Sequence, residues 1–138
     1  MPKVSQKRKI SGAGRETDNN YRVWFNDDKN VVYFKLYRPL TVEEVYEVQP
    51  MVQGLVKNLE RRLVLIDLTE GSTDMVGREA RQAFRETANP KDFDKIAVFG
   101  ASAAVRMLAK VVIAITGVSK ISQFFKTEEE ALTWLKEV

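Results

Sequence analysis

Residues 63–77 read LVLIDLTEGSTDMVG, and this stretch decides the fold. A run of apolar residues ends at Asp67, a polar loop with Ser72, Thr73 and Asp74 follows, and a helix is predicted next. A short apolar run between polar residues is typical of a strand that is covered on both faces of a sheet. Where such a strand meets a helix, α/β proteins often bind ligands and phosphates. The function therefore depends on what this junction contains.

The residues before the junction predict a hairpin and a helix. Residues 21–26 and 31–37 have the composition and alternation of strands, and the Asp-Asp-Lys-Asn sequence between them favours a turn. Thr41 begins the Thr-x-x-Glu pattern of a capping box, and we predict that the helix after it runs to about residue 59. Pro50 lies inside that helix, so a kink or a break is expected there.

The residues after the junction predict alternating helices and strands. Helices are expected over residues 75–88 and 101–116, strands over 96–99 and 121–125, and a final helix after a second Thr-x-x-Glu pattern at Thr127. The apolar residues that the final helix is expected to bury are Ala131, Trp134 and Leu135. The order β-β-α-β-α-β-α-β-α predicts an α/β domain with a mixed, mostly parallel five-stranded sheet and helices packed on it.

The composition excludes several classes of function. The chain has 138 residues, which predicts a single domain, and it contains no Cys and no His. Disulfides, thiolate nucleophiles, Ser-His-Asp triads and nearly all zinc and haem sites are thereby excluded, so no metal or cofactor is expected. No signal peptide is visible, and no apolar run is long enough to cross a bilayer. We therefore expect a cytoplasmic protein that is not transmembrane.

The net charge of +3 comes from the N-terminal residues. Residues 1–20 contain five basic and two acidic residues, whereas residues 21–138 contain seventeen of each. We expect residues 1–20 to form a disordered basic tail, because they include too few apolar residues to join a core, and residues 21–138 to form the domain. A neutral domain gives no reason to expect specific binding of nucleic acid.

Several of these segments resemble the STAS fold, and more closely its SpoIIAA-like branch, sometimes labelled STAS/SEC14. They are the strand that ends in LIDL, the KIAVFG strand that opens an apolar helix, and the C-terminal FFKTEEEALTWL. The resemblance covers about residues 21–138. It implies a non-enzymatic regulatory domain that acts by protein docking, as anti-sigma-factor antagonists do, with a regulator or a kinase-type protein as its partner.

The resemblance also implies a place for a phosphorylation switch. In anti-anti-sigma members, a kinase phosphorylates a Ser that follows an Asp at the start of the second helix, and the added negative charge prevents docking. That Asp corresponds to Asp74, and the next two positions are Met75 and Val76, which cannot accept phosphate. The usual switch is therefore predicted to be absent or moved to Ser72 or Thr73. Capping of the second helix is the favoured alternative for Ser72, Thr73 and Asp74.

Arg78, Arg81 and Arg85 share one face of the second helix, which is either solvated or a docking surface for an acidic partner or a lipid headgroup.

The third helix is apolar almost all round. The residues expected to cover the sheet are Val105, Leu108, Val112 and Ile115, and those expected on its exposed flanks are Met107, Val111 and Ala114 with Ile113. Three explanations of the flanks remain open: coverage by the final helix or the tail, a homodimer interface, or a pocket for an apolar ligand.

Two other functions remain open. One is a carrier or sensor of a small apolar or anionic ligand, as the SEC14 label suggests. The other is a hydrolase with Asp67 and Asp74 as paired carboxylates and Glu70 as a further acidic group. The candidate residues for binding a partner or ligand are Ser72, Thr73, Asp74, Met75, Arg78, Arg81, Arg85, Met107, Val111 and Ala114.

Overall fold

Five strands form one sheet in the order in which they follow one another along the chain. They belong to a computed structural model that describes residues 19–137. The strands are β1 (Tyr21–Asn26), β2 (Val31–Leu36), β3 (Leu63–Asp67), β4 (Lys95–Phe99) and β5 (Ser122–Phe125). β1 and β2 are antiparallel, and every later pair of neighbours is parallel. The predicted mixed, mostly parallel sheet is confirmed.

Within residues 19–137, four α-helices cover the two faces of this sheet unequally. They are α1 (Val42–Val56), α2 (Arg78–Thr87), α3 (Ala103–Thr116) and α4 (Glu128–Lys136). The buried residues of α1, α2 and α3 belong to one apolar core, and those of α4 belong to a second core on the opposite face. Because each parallel crossover moves to the next strand in the same direction with the same hand, its helix returns to the same face.

This topology has no point at which the strand order reverses. In open α/β sheets, ligand crevices form at such reversals. The carboxyl ends of the parallel strands therefore lack the crevice that would make the junction after β3 a ready ligand site.

Most local predictions hold, with shifts at the helix ends. α1 begins after the predicted capping box, in which Thr41 and Glu44 exchange hydrogen bonds. It continues unbroken through Pro50 and ends at Val56, so the alternative of a break is wrong. Proline has no N–H, so the carbonyl of Tyr46, four residues earlier, lacks its helical partner. Both residues lie on the exposed side of α1, where water can bind that carbonyl instead.

The start of α4 differs in one bond from the predicted capping box. Thr127 accepts the backbone N–H of Glu130, as predicted, but the Glu130 carboxylate accepts the N–H of Lys126. Ala131 and Leu135 are fully buried, whereas Trp134 is half-buried against Phe125.

The predicted basic tail falls on residues 1–20, of which residues 1–18 lie outside the described part of the chain. Asn20 contacts the fold, since its side-chain amide donates to the Glu44 carboxylate at 2.8 Å.

A buried tyrosine joins the sheet to α4. The Tyr33 hydroxyl donates a 2.6 Å hydrogen bond to Glu128, and its ring stacks on Trp24. Burial and the hydrogen bond to Glu128 raise the pKa of Tyr33 above its ordinary value, with smaller contributions from the negative charges of Glu128 and Asp67.

This raised pKa predicts a specific pH dependence of stability. The unfolded chain ionises Tyr33 at a pH of about 10, whereas the folded chain resists ionisation. The contribution of Tyr33 to stability is therefore complete below about pH 10 and is lost progressively as the pH rises above it. We expect Tyr33→Phe to lower the free energy of unfolding by about 1 kcal/mol at pH 8, and this deficit to shrink at pH 11. Urea denaturation of both proteins measures it, and other groups that titrate affect both proteins alike. A deficit that stays constant would contradict the assignment.

Candidate functional site

The loop between β3 and α2 is held to the end of β4 and by a hydrogen bond between two of its own residues. The backbone N–H of Leu68 donates to Phe99 at the end of β4 (3.0 Å), and the N–H of Met75 donates to the carbonyl of Ser72 (3.1 Å). Gly100 has a φ of +85°, and a Cβ there would collide with Thr69. Glycine therefore allows the loop to pack directly on the backbone that follows β4.

The polar residues of the loop do not cap the helix. α2 begins at Arg78, with Gly77 at its N-cap and no side-chain capping bond, so the predicted start at residue 75 and the predicted caps are wrong. Ser72 instead donates to the Asp74 carboxylate at 2.5 Å. Ser72, Thr73 and Asp74 are exposed, which leaves all three side chains accessible on the surface.

Met75 and Val76 belong to the core. Their exposed fractions are 3% and 4%, and a short bridge pairs Val76 with Leu40, just before α1. The N–H of Leu40 donates to the Met75 carbonyl at 2.8 Å. The two positions at which the resemblance would place a phosphate acceptor are therefore buried as well as lacking a hydroxyl. Met75 was predicted to contact a partner, but its side chain is inaccessible without movement of the loop.

The carboxylates that suggested a hydrolase have local partners. Asp67 accepts hydrogen bonds from the N–H and hydroxyl of Thr69, at 2.9 and 2.6 Å, and lies 3.7 Å from Lys35. Lys35 also pairs with Glu70 at 3.4 Å. Among residues 19–137, no three acidic side chains are grouped closely enough to hold a metal ion. This arrangement gives the hydrolase hypothesis no support.

The three arginines of α2 differ in their surroundings. Arg78 and Arg85 are exposed, and neither forms an ion pair with any residue in the described range. Arg81 is half-buried, and its guanidinium donates to the carbonyl of Val76 at 2.9 Å. Arg81 therefore ties α2 to the loop, whereas Arg78 and Arg85 present free charge to solvent.

The acidic residues of α2 lie away from these charges. Glu86 accepts a hydrogen bond from Tyr46 of α1 at 2.9 Å, and another from Gln82. These hydrogen bonds, from Gln82 and then Tyr46, lower the pKa of Glu86. By helical spacing, Glu79 shares the flank of Glu86, and the arginines occupy the rest of the exposed face. The part of the exposed face of α2 that carries Arg78 and Arg85 is thus basic, while the loop before it contributes the exposed carboxylate of Asp74.

α3 is rotated relative to the prediction. Val105 is buried and Leu108 and Val112 are half-buried, as predicted, but Ile115 is 36% exposed. Ile113, which was expected on an exposed flank, is half-buried against the core instead, and Ala109 is buried.

The apolar flank of α3 is exposed as predicted. Met107 is 71% exposed, Val111 is 49% exposed, and Ala114 is also exposed. The explanation that the final helix covers this flank is wrong, because α4 packs in the core on the opposite face of the sheet. A second copy of the chain on this face stays a prediction.

A cavity of about 120 Å³ lies between the sheet and α1, α2 and α3. Its lining includes Phe34, Val98, Val52, Phe84, Ala109 and Ile113, with Gln49 and Thr116 the polar residues. Met107, Val111 and Ala114 are not part of it, so the pocket that was predicted for α3 lies on the opposite side of that helix.

No helix within residues 19–137 combines the length and apolar character needed to cross a membrane.

Comparisons with known proteins address the family and the fold. The model of a family described as SpoIIAA-like matches residues 31–136. A solved NMR structure of the protein TM1081 superimposes with a TM-score of 0.59 at 13% sequence identity, covering 98% of this chain and 100% of that one. At that identity the likeness concerns the fold alone. No curated protein matches the sequence.

Proposed function

This chain belongs to the SpoIIAA-like family, a branch of the STAS fold whose members are commonly anti-sigma-factor antagonists, and from this we propose that it works by docking to a protein partner. Members of the family generally regulate rather than catalyse. In this proposal the chain is a cytoplasmic, non-enzymatic domain. Its partner is a regulator or a kinase-type protein with an acidic contact surface.

The observation that carries the proposal is the pair of free arginines beside an exposed polar turn. Arg78 and Arg85 are solvent-exposed and have no ion-pair partner among residues 19–137, and Ser72, Thr73 and Asp74 lie just before them in the chain. The loop is held to β4, to Leu40 just before α1, and to α2 by backbone and side-chain hydrogen bonds. The hydrogen bonds that hold the loop limit the conformational entropy lost on binding, and the exposed arginines attract an acidic partner.

We further propose that docking is not controlled by phosphorylation at the usual place. Met75 and Val76 have no hydroxyl and are buried. Ser72 and Thr73 are the exposed hydroxyls of the loop, and a phosphate on Ser72 would lie beside the Asp74 carboxylate. Like charges at that distance repel, so phosphorylation of Ser72 would have to break the turn.

The experiment is capture of partners with two matched double variants. Immobilised wild-type protein, the Arg78→Glu/Arg85→Glu variant and a Lys57→Glu/Lys120→Glu control are incubated with lysate of the native cells, and bound proteins are quantified by mass spectrometry. Both variants change the net charge equally. We expect a protein that the wild type and the control capture and the arginine variant does not. Equal capture by all three would contradict the placement of the surface.

A small apolar ligand is the second candidate, and the cavity favours it. Its lining is almost entirely apolar, yet its volume of about 120 Å³ is well below the 300–1,000 Å³ typical of sites for drug-sized ligands. A carrier of whole lipids would need more room. A sensor of a small apolar molecule fits the cavity better than a carrier does.

A further inference from the structure

The cavity and the 72–77 loop share a wall. Met75 and Val76 of the loop both line the cavity, and so does Leu40, their backbone partner. Met75 and Val76 occupy the positions at which related proteins accept phosphate, and both contact the cavity. Ser72 and Thr73 of the same loop face solvent. Residues 72–77 therefore contribute to the proposed docking surface on one side and to the cavity wall on the other.

The chemistry of the cavity selects its occupant. Within residues 19–137, the polar residues of the lining are Gln49 and Thr116, and all the others are apolar. Apolar cavities of about 150 Å³ bind benzene. A molecule the size of benzene, or the end of a short alkyl chain, would fill this space and replace missing van der Waals contacts.

We propose that a small apolar molecule binds in this cavity and changes the position of the 72–77 loop, which rests on the proposed function in treating that loop as the docking surface. Leu40, Met75 and Val76 all line the cavity, so an occupant beside them would act on both sides of the bridge that fixes the loop. A ligand shifts a conformational equilibrium by the difference of its affinities for the two states. The bound molecule thereby takes the regulatory place of the phosphate that Met75 and Val76 cannot accept.

Benzene titration followed by NMR tests this on the full chain. The methyl groups of Met75, Val52 and Val112 report the cavity, the amides of Ser72 and Thr73 report the exposed side of the loop, and the methyl group of Met107 is the exposed reference. We expect the cavity methyl groups and the loop amides to shift along one saturation curve, while Met107 does not saturate.

Two matched variants of α3 fix the location. Ala109→Val adds two methyl groups to the cavity lining, and Ala114→Val adds the same groups to the exposed face of the same helix. We expect the first to weaken benzene binding at least about tenfold and the second less than about twofold. If Ala109→Val does not fold, Val112→Leu reduces the same cavity by one methylene.

Three results would overturn the proposal. Absence of saturable shifts excludes the ligand site, and equal weakening by the two α3 variants excludes its location. Saturating shifts of the cavity methyl groups with unchanged Ser72 and Thr73 amides exclude the coupling to the loop. None of these results depends on a partner protein, so the capture experiment with the arginine variant still decides the docking function separately.

Discussion

Replacement of Met75 by aspartate should lower the free energy of unfolding at pH 7 by at least about 3 kcal/mol. The Met75 side chain is 3% exposed and packs in the core beside the cavity. The substitution removes apolar contacts and places a carboxylate in a lining that, within residues 19–137, contains no cation. Because a buried carboxylate can take up a proton, the loss of stability should be smaller at low pH.

The control for this prediction is Thr73→Asp, two residues earlier. Thr73 is exposed, so an added carboxylate there stays hydrated and should change stability by less than about 0.5 kcal/mol. Urea denaturation of the wild type and the two variants gives the comparison. Similar stability of Met75→Asp and Thr73→Asp would show that residue 75 is accessible. The usual phosphorylation position would then not be closed by burial.

The Arg78→Glu/Arg85→Glu variant should bind the captured partner about 100-fold more weakly than the wild type. Both side chains are exposed, so reversing their charges replaces attraction with repulsion without leaving a buried charge unpaired. The loss should include a slower association rate and should shrink at high salt, since exposed charges are screened. Calorimetry and surface plasmon resonance at two salt concentrations measure these effects.

The fold of this variant should be unaffected. Arg78 is the first residue of α2, where a glutamate interacts favourably with the helix dipole, whereas Arg85 lies in the last turn, where it interacts unfavourably. The two changes oppose each other and each is worth a few tenths of a kcal/mol. The Lys57→Glu/Lys120→Glu control should retain affinity within about threefold. A comparable loss of binding in this control would mean that net charge, and not the α2 surface, determines docking.

The sequence predicted the order and pairing of the elements well, because their signals are local. The 27–30 turn is an example: Asn30 has a φ of +58° and its N–H donates to Asn26, as the turn residues indicated. The cap at Thr41 and the apolar run of β3 are equally local. These features depend on residues within four positions of each other, so the sequence alone suffices for them.

The junction after β3 was harder to predict, because a distant residue determines it. Leu40 forms a bridge with Val76, and its N–H donates to the carbonyl of Met75. These contacts hold Met75 and Val76 outside the helix, so α2 starts only at Arg78. Nothing near residue 75 indicates a partner 35 positions earlier. The predicted caps at Ser72, Thr73 and Asp74 failed for this reason.

The orientation of α3 and the cavity were missed for different reasons. A helix that is apolar almost all round has no clear hydrophobic face, so the choice between Ile113 and Ile115 could not be made from periodicity. The cavity is assembled from residues of the sheet, three helices and their loops, none of which has a distinctive pattern. It depends on how closely the helices approach the sheet, which is a property of packing.

Hydrogen exchange of the protein with and without its captured partner tests the central claim most directly. If the 72–77 loop and α2 form the docking surface, the amides of residues 72–85 should exchange at least about tenfold more slowly in the complex. The β1–β2 turn at residues 27–30 should be unchanged. Protection centred on that turn or on α4, with residues 72–85 unaffected, would contradict the account.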